Sequence, residues 1–272
     1  MNKQIVEFFK ENKIEYFTAL DYKEQREINP HLRERLGFDA RSVIIYLVPY
    51  YAGACDNLSV YAGSLDYHII LSELGMGLVN LIKAEYNGAN AASFGDRSPI
   101  DERYAAVTGG LGVLGKNGLV INEKYGSYVF IGEVITDVMT EALGVKGAVS
   151  PSYCKECGAC ISSCPTGALS CGKECLSAIT QKKGELTDAE AELIVRCNTV
   201  WGCDACQAAC PYNREPKLTP IQFFYKNRIS HLDSEVLSAF SKEEFAKRAF
   251  SWRGKATLQR NIEIYEAQKN SK

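Results

Sequence analysis

Ten of the chain's 11 cysteines fall between Cys154 and Cys210, and their spacing limits the fold of that segment more than any other feature. The run "CKECGACISSCP" places Cys154, Cys157, Cys160 and Cys164 at x2, x2 and x3 spacing and ends on a proline. This is the spacing of bacterial ferredoxins, in which three thiolates share one iron–sulfur cube and the fourth reaches a second cube. A second block is then required, and "GCDACQAACP" supplies Cys203, Cys206 and Cys210. Reciprocity assigns Cys154, Cys157, Cys160 and Cys210 to one [4Fe–4S] cluster, and Cys164, Cys203 and Cys206 to the other. The eighth ligand is expected to be Cys175, with Cys171 and Cys197 as rivals. Paired C-x2-C units also hold structural zinc, but two reciprocal C-x3-C-P endings favour the cubes. Cys55 stands alone and reads as a small buried apolar residue.

A ferredoxin needs only these blocks, so the long segment ahead of Val149 must serve another purpose. With 272 residues, 46% hydrophobic and 24% charged, the chain can bury one large core or two smaller ones. A net charge of −2 predicts no general attraction to nucleic acid. Residues 216–272 are mildly basic, with 11 Lys/Arg against 6 Asp/Glu. That tail could touch a phosphate backbone, although a solvated helical surface is the plainer reading. The opening "MNKQIVEFFKENKIEYF" has no uninterrupted apolar core and does not read as a secretory leader. No apolar run approaches bilayer length. The expectation is a cytoplasmic protein with no membrane segment, and in that compartment the thiols are not a disulfide framework.

Residues 2–13 read as an amphipathic helix with Ile5, Phe8 and Phe9 on one face. "SVIIYLV" is expected as a buried strand, residues 65–86 as a helix, "AASF" as a strand and "DERYAAV" as a short helix. "GLVIN", "EKYG" and "SYVFIGEVIT" then suggest a β-hairpin. The composition changes at "GVKGAVSPSYC", which puts a boundary near Val149. "TDAE" and "SKEE" are capping boxes that open helices downstream.

The stretch "GGLGVLGKNGL" superficially matches a phosphate-binding loop, Gly110-x-x-x-x-Gly115-Lys116. Asn117 stands where that loop needs a hydroxyl for magnesium, and a helical segment precedes it where a strand is required. Without further information, a tight helix-to-strand turn explains the glycines as well as a ligand does.

Taken in order, "FGDRSPIDERYAAVTGGLGVLGKNGLVINEKYGSYVFIGEVITD", the cysteine run and "WGCDACQAACPYN" resemble the epoxyqueuosine reductases. "YAGSLDYHIIL" and "SWRGKATLQRNIEI" match further segments of that family, so the resemblance covers nearly the whole chain. It implies a cobalamin-dependent enzyme with two [4Fe–4S] clusters, fed by an external low-potential donor. The implied reaction reduces epoxyqueuosine to queuosine in tRNA. The implied fold is α+β: a mixed α/β cobalamin-binding domain over 1–149, nitroreductase-like as in reductive dehalogenases, then a ferredoxin-like double-cluster domain over 150–215 and a helical segment over 216–272.

The resemblance also implies site residues. Asp96 takes the position of the catalytic acid, as a partly buried carboxyl with a raised pKa, and Arg103 the matching basic position. Glycines 109, 110, 112, 115 and 118, with Gly110, Gly112 and Gly115 foremost, would let a flat corrin lie against backbone. Lys116 and Asn117 would offer it donors, and His68 would be a further contact. Read without the family, Asp96 is a turn-forming loop aspartate and His68 a satisfied helix residue. Two departures widen the possibilities. Val113 replaces the family's aromatic residue, and relatives continue past "LQRN" into helical repeats where this sequence ends at Lys272. A small-molecule substrate, or a corrin-free electron-transfer protein, therefore stays open.

Overall fold

The computed structural model describes residues 2–144 and 148–269. Val145, Lys146 and Gly147, part of the expected junction, lie outside the described residues, as do residues 1 and 270–272. The chain divides into two compact units, Met1–Tyr50 with His68–Glu156 and Tyr51–Tyr67 with Cys157–Lys272. Residues 51–67 thus belong with the cysteine-bearing unit, although they lie far upstream of it in sequence. Mixed helix and sheet make the fold α+β, as expected.

The strands of the first unit are β1 (Phe17–Asp21), β2 (Ser42–Pro49), β3 (Ala91–Phe94), β4 (Val113–Leu114), β5 (Val120–Ile121) and β6 (Val129–Thr136). Four of them form an antiparallel sheet in the order β1-β2-β6-β3, and β4 pairs with β5. All eight residues of β2 are buried, because it lies between β1 and β6 and both its faces are covered. That double cover is why its sequence runs apolar without alternation. Each fully buried Ile or Val there contributes about 1.5–3 kcal/mol.

On one face, Phe9 of the helix Lys3–Glu11 stacks on Phe17 at 4.3 Å and tilts against Tyr46 at 5.3 Å. The helix Tyr67–Glu85 presses close to β3, where a Cβ on Gly75 would meet Ser93 Cβ at 2.6 Å. On the other face, Val43, Ile45 and Leu47 pack with Ile100 and with Ala105, Ala106 and Val107 of the helix Glu102–Thr108.

Of the expected hairpin over residues 118–136 only the turn forms, where Asn122 and Gly126 bridge, and its two strands do not pair with each other. β5 pairs with β4 across the glycine turn, while β6 pairs with β2 along its whole length and with β3 over residues 133–136. Two residues of β4 carry too little pattern to be seen in the sequence.

The second unit centres on Trp201, which is fully buried among Phe250, Leu258, Ile262 and Ile194. Residues 51–67 are tied in by paired bonds: Asn57 Nδ2 donates to Leu232 O at 2.8 Å, and Leu232 N–H donates to Asn57 Oδ1 at 2.9 Å. Asn261, on the helix Lys255–Lys269, donates to both Thr180 O and Val200 O. These contacts bring "LQRN" against the residue that precedes "WGC". Both expected capping boxes are present, Thr187 with Glu190 and Ser241 with Glu244. No helix of the described residues is long and apolar enough to cross a membrane.

Candidate active site

All 11 cysteines are free of disulfides. In the second unit, left-handed Gly158 and Gly167 open the short helices Ala159–Ser162 and Ala168–Cys171, folding the Cys160–Cys164 segment tightly. Burial pushes the Cys164 thiol up, but the N–H groups of Leu169, Thr166 and Ala168 and the Thr166 hydroxyl outweigh it and hold the thiol below its ordinary range. Such a nest suits a sulfur that carries negative charge on a cluster. Burial pushes Cys203 up to about 12, and the neighbouring Cys175, Asp204 and Cys206 add to the rise. Metal binding would deprotonate that thiol outright. Cys175 is therefore an electrostatic neighbour of Cys203. Its rival Cys171 instead donates to its own turn, to Gly167 O at 3.1 Å.

Among the described residues, no three His, Cys, Asp or Glu side chains converge as a single metal ion would need. A cube makes a different demand, because each thiolate binds its own iron. Cys55 is only half-buried, with its Sγ 3.7 Å from Ile229 O and Arg228 Nη2 at 3.4 Å.

In the first unit the glycine stretch forms the β4–β5 hairpin, and the chain itself accounts for several of its glycines. A Cβ on Gly112 would meet Ile121 O at 2.5 Å, and one on Gly115 would meet Asn117 Oδ1 at 2.5 Å. For Gly112 and Gly115 the hairpin by itself accounts for the glycine, because the chain fills the space a Cβ would take. Gly110 and Gly118 have φ of +73° and +78°, which favours glycine at a turn. The turn also reaches the cysteine run. Residues 152–154 lie along β4, with Leu114 N–H donating to Ser152 O and Cys154 N–H donating to Leu114 O. The Lys116 N–H then donates to Cys154 Sγ at 3.4 Å, and Lys116 Nζ pairs with Glu156 at 3.2 Å.

The donor chemistry of this hairpin fits an amide-rich cofactor. Asn117 Nδ2 is buried and has no hydrogen-bond partner among the described residues. The Arg103 side chain is exposed and reaches Gly118 O at 3.3 Å.

Asp96 sits beyond β3 with φ +69°, in a tight loop where Gly95 and Arg97 form an isolated bridge. Its carboxylate lies 3.6 Å from His68 Nε2, so the structure brings these two expected residues together. Asp96 is not the partly buried acid expected from the sequence, since 59% of its side chain is exposed. The carboxyls with raised pKa stand behind it, and sequence reading missed both. Burial pushes Glu102 up to about 7. The Asp96 charge adds to that rise, while the Asp96 N–H and Arg103 oppose it. Glu133, fully buried on β6, is pushed up to about 8 by burial, opposed by the Ser98 hydroxyl and raised further by Glu102. Ser98 donates to Glu133 Oε1 in a short contact, and among the described residues the buried Glu133 Oε2 and Glu102 Oε2 have no hydrogen-bond partner. The available signal was the lone charge within the apolar run "YVFIGEVIT". An open groove lined by Tyr22, Glu27, Arg33, Phe38 and Ile100 contains none of these residues.

Residues 153–213 match the 4Fe–4S double cluster binding domain family. The chain is 33% identical over 219 residues to epoxyqueuosine reductase of Listeria monocytogenes, covering 76% of this chain and 56% of that one. It is 31% identical over 225 residues to epoxyqueuosine reductase of Leadbetterella byssophila, covering 77% and 73%. The solved structure of epoxyqueuosine reductase from Streptococcus thermophilus superposes with a TM-score of 0.77 at 26% identity, covering 99% of this chain and 82% of that chain. The chain spans little more than half the length of several curated relatives it matches.

Proposed function

The chain belongs to the epoxyqueuosine reductase family, and from that premise we propose that it is an oxidoreductase that reduces epoxyqueuosine to queuosine in tRNA. It would act in the cytoplasm and draw on an external low-potential electron donor. One observation carries the reading. A double-cluster domain shares its chain with an exposed acid, Asp96, that is backed by buried carboxyls. Reductive removal of an oxygen needs both electrons and protons, and the chain carries a means of supplying each.

Cys154, Cys157, Cys160 and Cys210 would hold one [4Fe–4S] cluster, a set supported by their reciprocal spacing. Cys164, Cys175, Cys203 and Cys206 would hold the other. Support for Cys175 comes from its effect on Cys203, whereas Cys171 is engaged within its own turn.

Cobalamin, when bound, would supply a strongly reducing cobalt for breaking the carbon–oxygen bond. Asn117, Lys116, Arg103 and His68 would contact it, beside the backbone of Gly110. Gly112 and Gly115 would shape the hairpin that presents those donors. Asp96 would place a proton on the epoxide oxygen as it leaves, the role of a general acid. His68, 3.6 Å away, would orient the Asp96 carboxyl. Arg103, tied to Gly118 O, would keep the hairpin turn beside the helix Glu102–Thr108.

The test begins with anaerobic reconstitution using iron, sulfide and hydroxocobalamin. Stoichiometric corrin bands over the iron–sulfur absorption are expected, and their absence would refute the cobalamin reading. The reduced protein is then given tRNA from a strain lacking the reductase. Conversion of epoxyqueuosine to queuosine supports the proposal, and unchanged tRNA with both cofactors loaded refutes it. Asp96→Asn should keep both cofactors and lose turnover.

A further inference from the structure

Turning an epoxide into an alkene breaks two carbon–oxygen bonds and releases the oxygen as water. The balance requires two electrons, which the external donor supplies through the clusters, and two protons. On the reading of Asp96 as the acid, Asp96 delivers one of them to the oxygen. Once a substrate lies over its exposed face, bulk water can reach the acid only past that substrate. A second proton must therefore come from the protein side.

The groups on that side are few. Glu102 opens the helix Glu102–Thr108, directly after its N-cap Asp101. The Asp96 N–H points to the Glu102 carboxylate, and Glu102 Oε2 is sealed from solvent with no hydrogen-bond partner among the described residues. Asp96, Asp101 and Arg103 surround Glu102, and Glu133 lies behind it with its own unpartnered Oε2. Burial and the neighbouring Asp96 charge lift this carboxyl to about 7, so at neutral pH a substantial share of it keeps its proton.

Resting on the reading of Asp96 as the acid, we propose that Glu102 holds the second proton of each turnover and passes it to Asp96. Asp96 gives up its proton to the departing oxygen, and Glu102 reprotonates the Asp96 carboxylate. Asp96 then gives up that second proton, which completes the water molecule. After product leaves and uncovers Asp96, Glu102 regains its own proton from solvent by way of the Asp96 carboxyl. Glu102 touches no substrate atom and acts only through Asp96.

The test has one readout that does not depend on turnover. Infrared difference spectra of reconstituted protein between pH 6 and pH 8 should show a protonated-carboxyl band that is lost in Glu102→Gln. If wild type and Glu102→Gln give the same difference spectrum, the proposal is overturned. In single-turnover reduction, wild type should slow as pH rises through about 7, where Glu102 loses its proton. Glu102→Gln should be slower by about tenfold or more below pH 7 and should lack that decline. Glu102→Asp, which keeps a carboxyl, should recover part of the rate and a pH limb. A Glu102→Gln rate within twofold of wild type, an unchanged limb, or equal loss in both variants would overturn the relay. If Asp96→Asn is inactive while Glu102→Gln behaves as wild type, only the relay fails. If Asp96→Asn keeps full turnover, the acid assignment fails and the relay fails with it.

Discussion

Glu133→Gln isolates the cost of a carboxyl inside an apolar sheet. The folded Glu133 titrates at about 8 instead of the ordinary 4.5, mainly because burial penalises its charged form. Below pH 4.5 the folded and unfolded chains both hold the proton, and the group does not alter stability. As pH rises, the unfolded chain releases its proton while the folded one keeps it, so stability falls until about pH 8. Above that point both forms are ionised and the curve flattens. Each tenfold difference in proton affinity is worth about 1.4 kcal/mol, so the whole loss is up to about 5 kcal/mol. Gln is nearly the same size, can still accept from Ser98 and cannot ionise, so the variant should escape this loss. Both tryptophans lie in the second unit, which makes fluorescence a poor probe of the sheet. Amide hydrogen exchange of β2 and β6 peptides reads the sheet directly. Comparing the two proteins at each pH cancels the intrinsic exchange rate. Wild-type protection should fall relative to Glu133→Gln by a few kcal/mol between pH 5 and pH 9. Protection that stays parallel over that range would refute the burial argument.

Other perturbations address the cluster ligands and the hairpin. Cys175→Ser should lower iron from about eight to about four atoms per chain after reconstitution, while Cys171→Ser should leave it unchanged. Lys116→Pro removes the N–H that donates to Cys154, so one cluster's midpoint should move to a more negative potential in an anaerobic redox titration with EPR detection. Lys116→Ala keeps that N–H and should leave the midpoint nearly unmoved. Gly112→Ala forces a Cβ against Ile121 O and should cost about 1–3 kcal/mol, read as faster exchange of the β4–β5 amides.

Sequence alone determined the features that depend on short-range geometry. The C-x2-C and C-x3-C-P spacings constrain cluster ligation because a cube spans only a few ångströms, and neighbouring thiolates must come from adjacent turns. The capping boxes at Thr187 and Ser241 were equally local, since each satisfies helix N–H groups within three residues. "SVIIYLV" announced a buried strand because its composition reflects cover on both faces.

The tertiary structure decided whatever depends on the arrival of distant chain. Asn57 joins the cysteine-bearing unit only because Leu232 and Trp201 come to meet its segment. Gly112 and Gly115 needed the facing hairpin before close approach could be told from ligand binding. Asp96 and Glu102 present the same carboxyl in a sequence and differ in what covers them. Packing of one helix against one sheet face buries Glu133 and the Glu102 Oε2 and leaves Asp96 exposed, and burial sets where a carboxyl holds its proton.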